Sequence, residues 1–250
     1  MTPFSEPALI LTDGGLAGLL ACFIEGVCRS AGRVAPTPPT SRSAQAPPTS
    51  APLSKTTLCL ALPPHLEPQR TQRLAAARHA AEITHLAEVI EISPVPFEHD
   101  TKLREQGLGE SALLMAAGSE ALRRGLARVV WPVQVGGPGG DGHQGSGGAG
   151  QHLDSIADAF DRAMVCARLL SIDAGPDGLA IQTPFVDFTD AQLADLAADL
   201  DLPIEAAYFD PSEDEQRRWS AALGLAGLAM PAPGSLVQVV RPDARRLRAM

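Results

Sequence analysis

A parallel α/β sheet covered by helices on both faces is the fold class this sequence predicts, and three observations lead to it. Five short aliphatic stretches recur along the chain, helix-compatible segments separate them, and polar residues hardly interrupt them. Strands buried on both faces read in that way, whereas half-exposed strands alternate. In such sheets ligands bind beyond the carboxyl ends of the strands, near the point where strand order reverses. The loops after the first, second and fourth strands are therefore the places to look for chemistry.

The elements follow in order. Leu9-Ile10-Leu11 is the first strand, and a glycine-rich turn leads into an apolar helix from Leu19 to Val27. Thr57-Leu58-Cys59-Leu60 is the second strand, followed by an Ala- and Arg-rich helical stretch over 69–84. Val89-Ile90-Glu91-Ile92 and Val129-Val130-Trp131 are the third and fourth strands, with a helix over 111–125 between them. The clearest helix is 152–170, where Leu153, Ile156, Ala157, Phe160, Met164 and Ala167 recur on one face. Leu179-Ala180-Ile181 is the fifth strand. Thr189-Asp190-Ala191-Gln192 then has the pattern of a capping box, and Leu193, Leu196, Ala197 and Leu200 continue it as one stripe.

Two low-complexity stretches punctuate this series. Residues 30–54 are dominated by Pro, Ser, Thr and Ala, bury too little apolar surface to offset ordering entropy, and are expected to be a disordered insert. Residues 136–150 hold nine glycines in fifteen positions, the composition of a flexible loop. Neither reads as a domain boundary, because single elements rather than complete cores lie between them.

Composition closes several function classes. A hydrophobic content of 45% in 250 residues suffices for one ordinary core. Twenty basic against twenty-nine acidic residues give a net charge of −9, which argues against nucleic-acid binding through the overall field. No apolar run reaches the length of a membrane span. The opening Met1-Thr2-Pro3-Phe4-Ser5-Glu6 has no basic region ahead of an apolar one, so no secretory signal is expected. Cys22, Cys28, Cys59 and Cys166 form no C-x-x-C pair. A cytoplasmic protein with no membrane partner is the expectation.

The first loop, Asp13-Gly14-Gly15-Leu16-Ala17-Gly18, admits three readings. Glycines let backbone N–H groups approach an anion, and a helix N-terminus adds its positive dipole end. A dinucleotide fingerprint needs glycine where Asp13 stands and an acidic residue closing the second strand, where this chain has Ala61-Leu62-Pro63-Pro64. A tight strand–helix turn without a ligand accounts for the glycines equally. The third reading is a phosphate loop of the ATP pyrophosphatase type.

Four stretches together carry that third reading. Asp13 to Gly18 stands where the motif S-G-G-x-D-S would stand, and Gln69-Arg70 precede an Ala-rich helix with Arg78-His79. Val129 to Gly136 forms a fourth-strand segment, and Ile181-Gln182-Thr183-Pro184-Phe185-Val186-Asp187-Phe188-Thr189-Asp190-Ala191-Gln192 is similar to I-x-T-P-L-x-x-L-T-K-A-E. In order and spacing these resemble the 7-cyano-7-deazaguanine synthase-like family, over residues 7–29 and 55–208. The resemblance implies a single adenine nucleotide alpha-hydrolase-like (PP-loop, Rossmann-like) domain of about five parallel strands, with 209–250 as a C-terminal extension. It implies an ATP-dependent ligase of queuosine and 7-deazapurine synthesis, in which ATP activates a carboxylate and ammonia carries it through an amide to a nitrile. ATP and magnesium would be the cofactors, and a nucleotide or deazapurine the small-molecule partner. Asp13, Gly14, Gly15, Leu16 and Gly18 would form the nucleotide-binding phosphate loop. Gln69, Arg70, Thr183 and Asp190 would stand on the substrate side.

Four departures set limits to that inheritance. The loop's leading Ser is Asp13, its Asp is Ala17 and its last Ser is Gly18; a carboxylate about 4 Å from a phosphate costs roughly 1–4 kcal/mol unless a metal bridges them. The base-contacting loop D-x-S-G-Y-P-D-C is replaced by 136–150, with Asp141 and His143 its ionisable groups. The family's cysteine cluster is missing, so zinc is not expected, and the four cysteines read as small buried hydrophobes. Asp190 stands where the family has Lys. Together these imply a catalytically degenerate member with no assignable catalytic residue, or else a non-catalytic relative binding a nucleotide or a protein.

The remaining charged residues read as solvated surface. Asp154, Asp158 and Asp161 lie on one side of a helix with no partner ligand, and His79 and His85 lie on or near another. Arg70 and Arg73 belong to a solvated stripe on this reading, and the basic end Arg241 to Arg248 serves solubility.

Overall fold

The computed structural model describes residues 6–32, 56–61, 68–86, 88–92, 108–135, 149–174 and 178–231. Five strands, β1 (Leu9–Thr12), β2 (Thr57–Ala61), β3 (Glu88–Ile92), β4 (Arg128–Val130) and β5 (Ala180–Gln182), form one sheet in the order β3-β2-β1-β4-β5. Every pairing is parallel. Leu9 and Ile10 pair with Thr57 and Leu58 on one side and with Val129 and Val130 on the other, which makes β1 the central strand.

Side chains along each strand alternate between two cores, as a strand's period of two requires. Ile10, Leu58, Leu60 and Val130 face one core, and Leu9, Leu11, Cys59 and Val129 face the other. The first core is closed by α1 (Leu16–Gly32), α2 (Arg70–Ile83), α5 (Asp190–Asp199) and α6 (Glu213–Leu225). The second is closed by α3 (Leu108–Arg123) and α4 (Ala149–Ala174). A five-stranded parallel sheet with helices on both faces is what the aliphatic runs predict, and their positions agree within a residue or so. Most of 30–54 and of 136–150 falls outside the described residues, but residues 30–32 end α1 and residues 149–150 begin α4.

One reading from the sequence needs correction, that of Arg73, and the packing decides a side that the stripe of 152–170 left open. The apolar stripe of 152–170 does not face the sheet. Leu153, Phe160 and Met164 are exposed, and the buried side of α4 is Ala159, Ala163, Cys166 and Leu170. Small side chains let this helix lie close on α3, so the larger apolar residues are left outward. Arg73, placed on a solvated stripe, is instead buried, with only 6% of its surface exposed. Residues beyond 208 also build the core, through Trp219, Ala222 and Leu223 of α6.

The capping box at α5 is present. Gln192 N–H donates to Thr189 Oγ1, and Thr189 N–H donates to Gln192 Oε1 at 2.8 Å. Thr189→Ala should therefore lower stability by about 0.5–2 kcal/mol, since it orphans a helix-end donor. Urea unfolding checks this, and an unchanged midpoint at constant slope would remove the cap from the account.

Candidate functional site

Strand order reverses between β1 and β4, whose connections leave toward opposite faces and open a crevice at their carboxyl ends. A pocket of about 340 Å³ lies there, with Thr12, Asp13, Arg73, Trp131, Tyr208 and Arg218 in its wall.

The turn after β1 is wound tightly on itself. Thr12 Oγ1 accepts from Gly14 N–H at 2.9 Å, and Asp13 Oδ1 accepts from Gly15 N–H at 2.9 Å. Gly14 has φ +90°, and a Cβ on it would lie 2.9 Å from the carbonyl oxygen of Arg73. Only glycine lets the first turn of α2 come so close. Tyr208 N–H donates to the Gly14 carbonyl at 2.7 Å, which ties the segment before α6 to the same turn.

Arg73 is the centre of the charged network. Its Nη1 donates to the Asp13 carbonyl at 3.0 Å and to Asp13 Oδ2 at 2.9 Å, and its Nε donates to Gln69 Oε1 at 3.0 Å. Gln69 in turn donates to Asp210 Oδ2 at 2.6 Å. The guanidinium lies 4.4 Å from the centre of the Tyr208 ring, a cation–π contact. Burial alone would raise the Asp210 pKa, but hydrogen bonds from Ser212 and Gln69 and the charge of Arg73 bring it below the ordinary carboxylate value. Burial, with the Asp210 charge beside it, pushes the Tyr208 phenol up. The Tyr208 hydroxyl has no hydrogen-bond partner among the described residues.

A second network forms the opposite wall. The buried Asp190 carboxylate accepts from Arg218 Nε and Nη2, each at 2.5 Å, and from Gln134 Nε2 at 2.8 Å. Arg218 also pairs with Glu215 at 3.2 Å, and Glu215 accepts from Trp219 Nε1 at 2.9 Å. Where the resemblance would place a Lys, position 190 is Asp, and Arg218 brings it a cation from α6.

These contacts decide what the pocket suits. Its wall holds four carboxylates (Asp13, Glu110, Asp210, Glu215) and two guanidiniums (Arg73, Arg218), a net charge of −2. Both glycine N–H groups of the turn already have acceptors, and the buried cation is shared by Asp13, Gln69 and Asp210. The Asp13 carboxylate takes the Gly15 N–H and one arm of Arg73, and it sets an anion where a phosphate of the loop would lie. The residues present do not fit a triphosphate bound in the manner the phosphate-loop resemblance implies.

Of the residues expected at a site, Asp13, Gly15 and Leu16 line the pocket, and Gln69 joins them through Arg73. Gly14 lies beneath the turn. Gly18 packs on Thr12, where a Cβ would lie 2.0 Å from Oγ1. Asp190 stands behind Arg218. Arg70 is turned away and pairs with Glu91 at 2.8 Å, and Thr183 lines a trough between α4 and β5. Asp141 and His143 lie outside the described residues. Sequence reasoning did not single out Tyr208, Asp210, Glu215, Arg218 or Trp219, because no motif reaches them; the aromatic and charged density of 208–219 was the available signal.

Cys22, Cys59 and Cys166, the cysteines whose side chains are described, do not converge on one site. Cys22 belongs to the core on one side of the sheet, and Cys59 and Cys166 to the core on the other. Burial pushes the thiols up, Cys59 to about 12. Among the described residues no three metal-ligating side chains gather, and no helix is long and apolar enough to cross a membrane. Compared with protein-family models and with curated proteins, the chain matches none.

Proposed function

We propose that this chain is a divergent, non-catalytic relative of the 7-cyano-7-deazaguanine synthase-like family, on an adenine nucleotide alpha-hydrolase-like scaffold. On this reading it does not use ATP. Its switch-point pocket takes a small planar ligand without a phosphate chain, of the nucleoside or deazapurine class. The observation that carries the reading is Asp13, whose carboxylate accepts from Gly15 N–H and from buried Arg73. An internal anion there engages the Gly15 N–H and Arg73 and opposes the positive field that a triphosphate needs. Trp131 in the wall, which is only partly buried, offers an aromatic face for a flat ring, with Tyr208 beside it carrying Arg73 on its own ring.

Calorimetric titration with ATP at fixed magnesium tests this. The native chain should give no binding at sub-millimolar ATP. Asp13→Ser should bind more tightly, by about 1–3 kcal/mol, because it removes an anion, restores a donor and releases Arg73. No turnover should accompany the gain, since Ala17 still lacks the carboxylate that the family's loop carries. Tight native binding that Asp13→Ser weakens would make Asp13 a metal-holding group and end the non-catalytic reading.

A further inference from the structure

Helix α4 carries an apolar face that is exposed among the described residues. Of the seven large hydrophobic side chains exposed among the described residues, six lie on it: Leu153, Phe160, Met164, Val165, Leu169 and Ile172. At 100° per residue, Ala157, Asp161, Met164, Arg168 and Ile172 fall within about 80° of arc, opposite the buried Ala159, Ala163, Cys166 and Leu170. Their spacing of four, three, four and four residues is that of a helix–helix seam. Asp161 and Arg168 are both exposed in this seam, and neither has an ion-pair partner among the described residues.

We infer that this face of α4 binds the same face of a second copy of the chain, antiparallel, about a two-fold axis beside Met164. The charges choose that occupant. With the axis between positions 164 and 165, position 161 of one copy is level with 168 of the other. Asp161 then meets Arg168 twice across the seam, as an isologous interface requires. The two Asp161 residues stand seven positions, roughly 10 Å, apart along the axis. Asp158 falls level with position 171 of the other copy, a serine, so it is not set against an acidic residue.

Area agrees with the charges. Met164 and Ile172 lie in the seam, Leu153, Phe160 and Val165 lie within about 40° of its edges, and Leu169 lies farther round. Together the six offer on the order of 500 Å² of apolar surface, the size of the largest patch an ordinary monomer carries. Two copies bring up to about 1,000 Å² when the flanking side chains are covered with the seam, the lower limit of a specific interface. Beside the seam, α4 and the edge strand β5 enclose a trough of about 850 Å³ lined by Phe160, Ile181 and Pro184, which extends the apolar surface to the sheet edge. This interface is independent of the switch-point pocket and of what that pocket binds.

Sedimentation equilibrium of the full chain is the test. The native chain should be a dimer at about 10 μM, and Met164→Glu should raise its dissociation constant at least about 100-fold. Met164 is an exposed position, so the circular dichroism spectrum should stay native, and loss of the partner should lower the melting temperature no further than that of the monomer. Asp161→Arg should also weaken the dimer, and Asp161→Arg with Arg168→Asp should restore it. A monomeric native chain overturns the inference, whether another segment of the chain or solvent covers the face. So does a dimer that Met164→Glu leaves intact. A double charge exchange that fails to restore association overturns the antiparallel register.

Discussion

Glu25→Ala should lower the unfolding free energy by about 3–5 kcal/mol, the largest single loss expected in this chain. Glu25 in α1 is 3% exposed, and Arg128 at the start of β4 is 4% exposed. The two form a bidentate pair, Nη1 to Oε1 and Nη2 to Oε2, each at 2.7 Å. Arg128 also donates to Gln182 Oε1 at 2.8 Å and to the Glu6 carbonyl at 2.9 Å. One guanidinium therefore ties the central sheet, the edge strand β5, α1 and the segment entering β1. Removing Glu25 leaves that cation buried with neutral acceptors only. The cost arises there rather than in the attraction itself, because a buried pair hardly exceeds its own desolvation. The double substitution Glu25→Leu with Arg128→Met should then lose less than Glu25→Ala alone. Chemical denaturation of the three proteins checks both statements. A loss below about 1 kcal/mol for Glu25→Ala would mean that water reaches Arg128.

The pair also shows where sequence reading stops. The strands were legible because their aliphatic runs are nearly unbroken, and a run buried on both faces carries its own signature. The cap at Thr189 was legible because both partners lie within four residues. Arg128 opens a strand and Glu25 lies in an apolar helix, 103 positions apart, and no local pattern joins them. Arg73 fails for a related reason. Its neighbours Arg70 and Arg78 are exposed, and the spacing that separates the one buried arginine from the others depends on where Gly14 lets α2 approach. The stripe on α4 was legible as a face but not as an outward one. Periodicity identifies which residues share a side, and only packing decides which side is covered. The candidate site was half visible: the turn at 13–18 is local, whereas its other wall comes from 208–219, beyond the reach of any motif.

Gly18→Ser, the change toward the last residue of the motif S-G-G-x-D-S, should destabilise the chain by about 2–4 kcal/mol. A Cβ at this position lies 2.0 Å from Thr12 Oγ1 and 2.9 Å from Thr12 Cβ. Thr12 is β-branched, buried and held by the strand, so it cannot swing clear as the end of a long side chain would. Displacing it costs about 1–3 kcal/mol of overpacking. It also breaks the hydrogen bond that Thr12 Oγ1 accepts from Gly14 N–H, worth about 0.5–1.5 kcal/mol. The loss is therefore set by a contact between the loop's last residue and its first strand, and not by any ligand. Thr12→Ala should relieve part of it: the two substitutions together should cost at least about 1 kcal/mol less than their sum, since neighbours that share a contact do not add. Thermal and urea unfolding of the single and double variants measures that coupling. If Gly18→Ser keeps the native midpoint, α1 has room to shift, and the glycine at 18 has some other cause. If the coupling appears, the turn is organised around Thr12 and Asp13 as a unit. The motif S-G-G-x-D-S then cannot be installed at position 18 without also changing position 12.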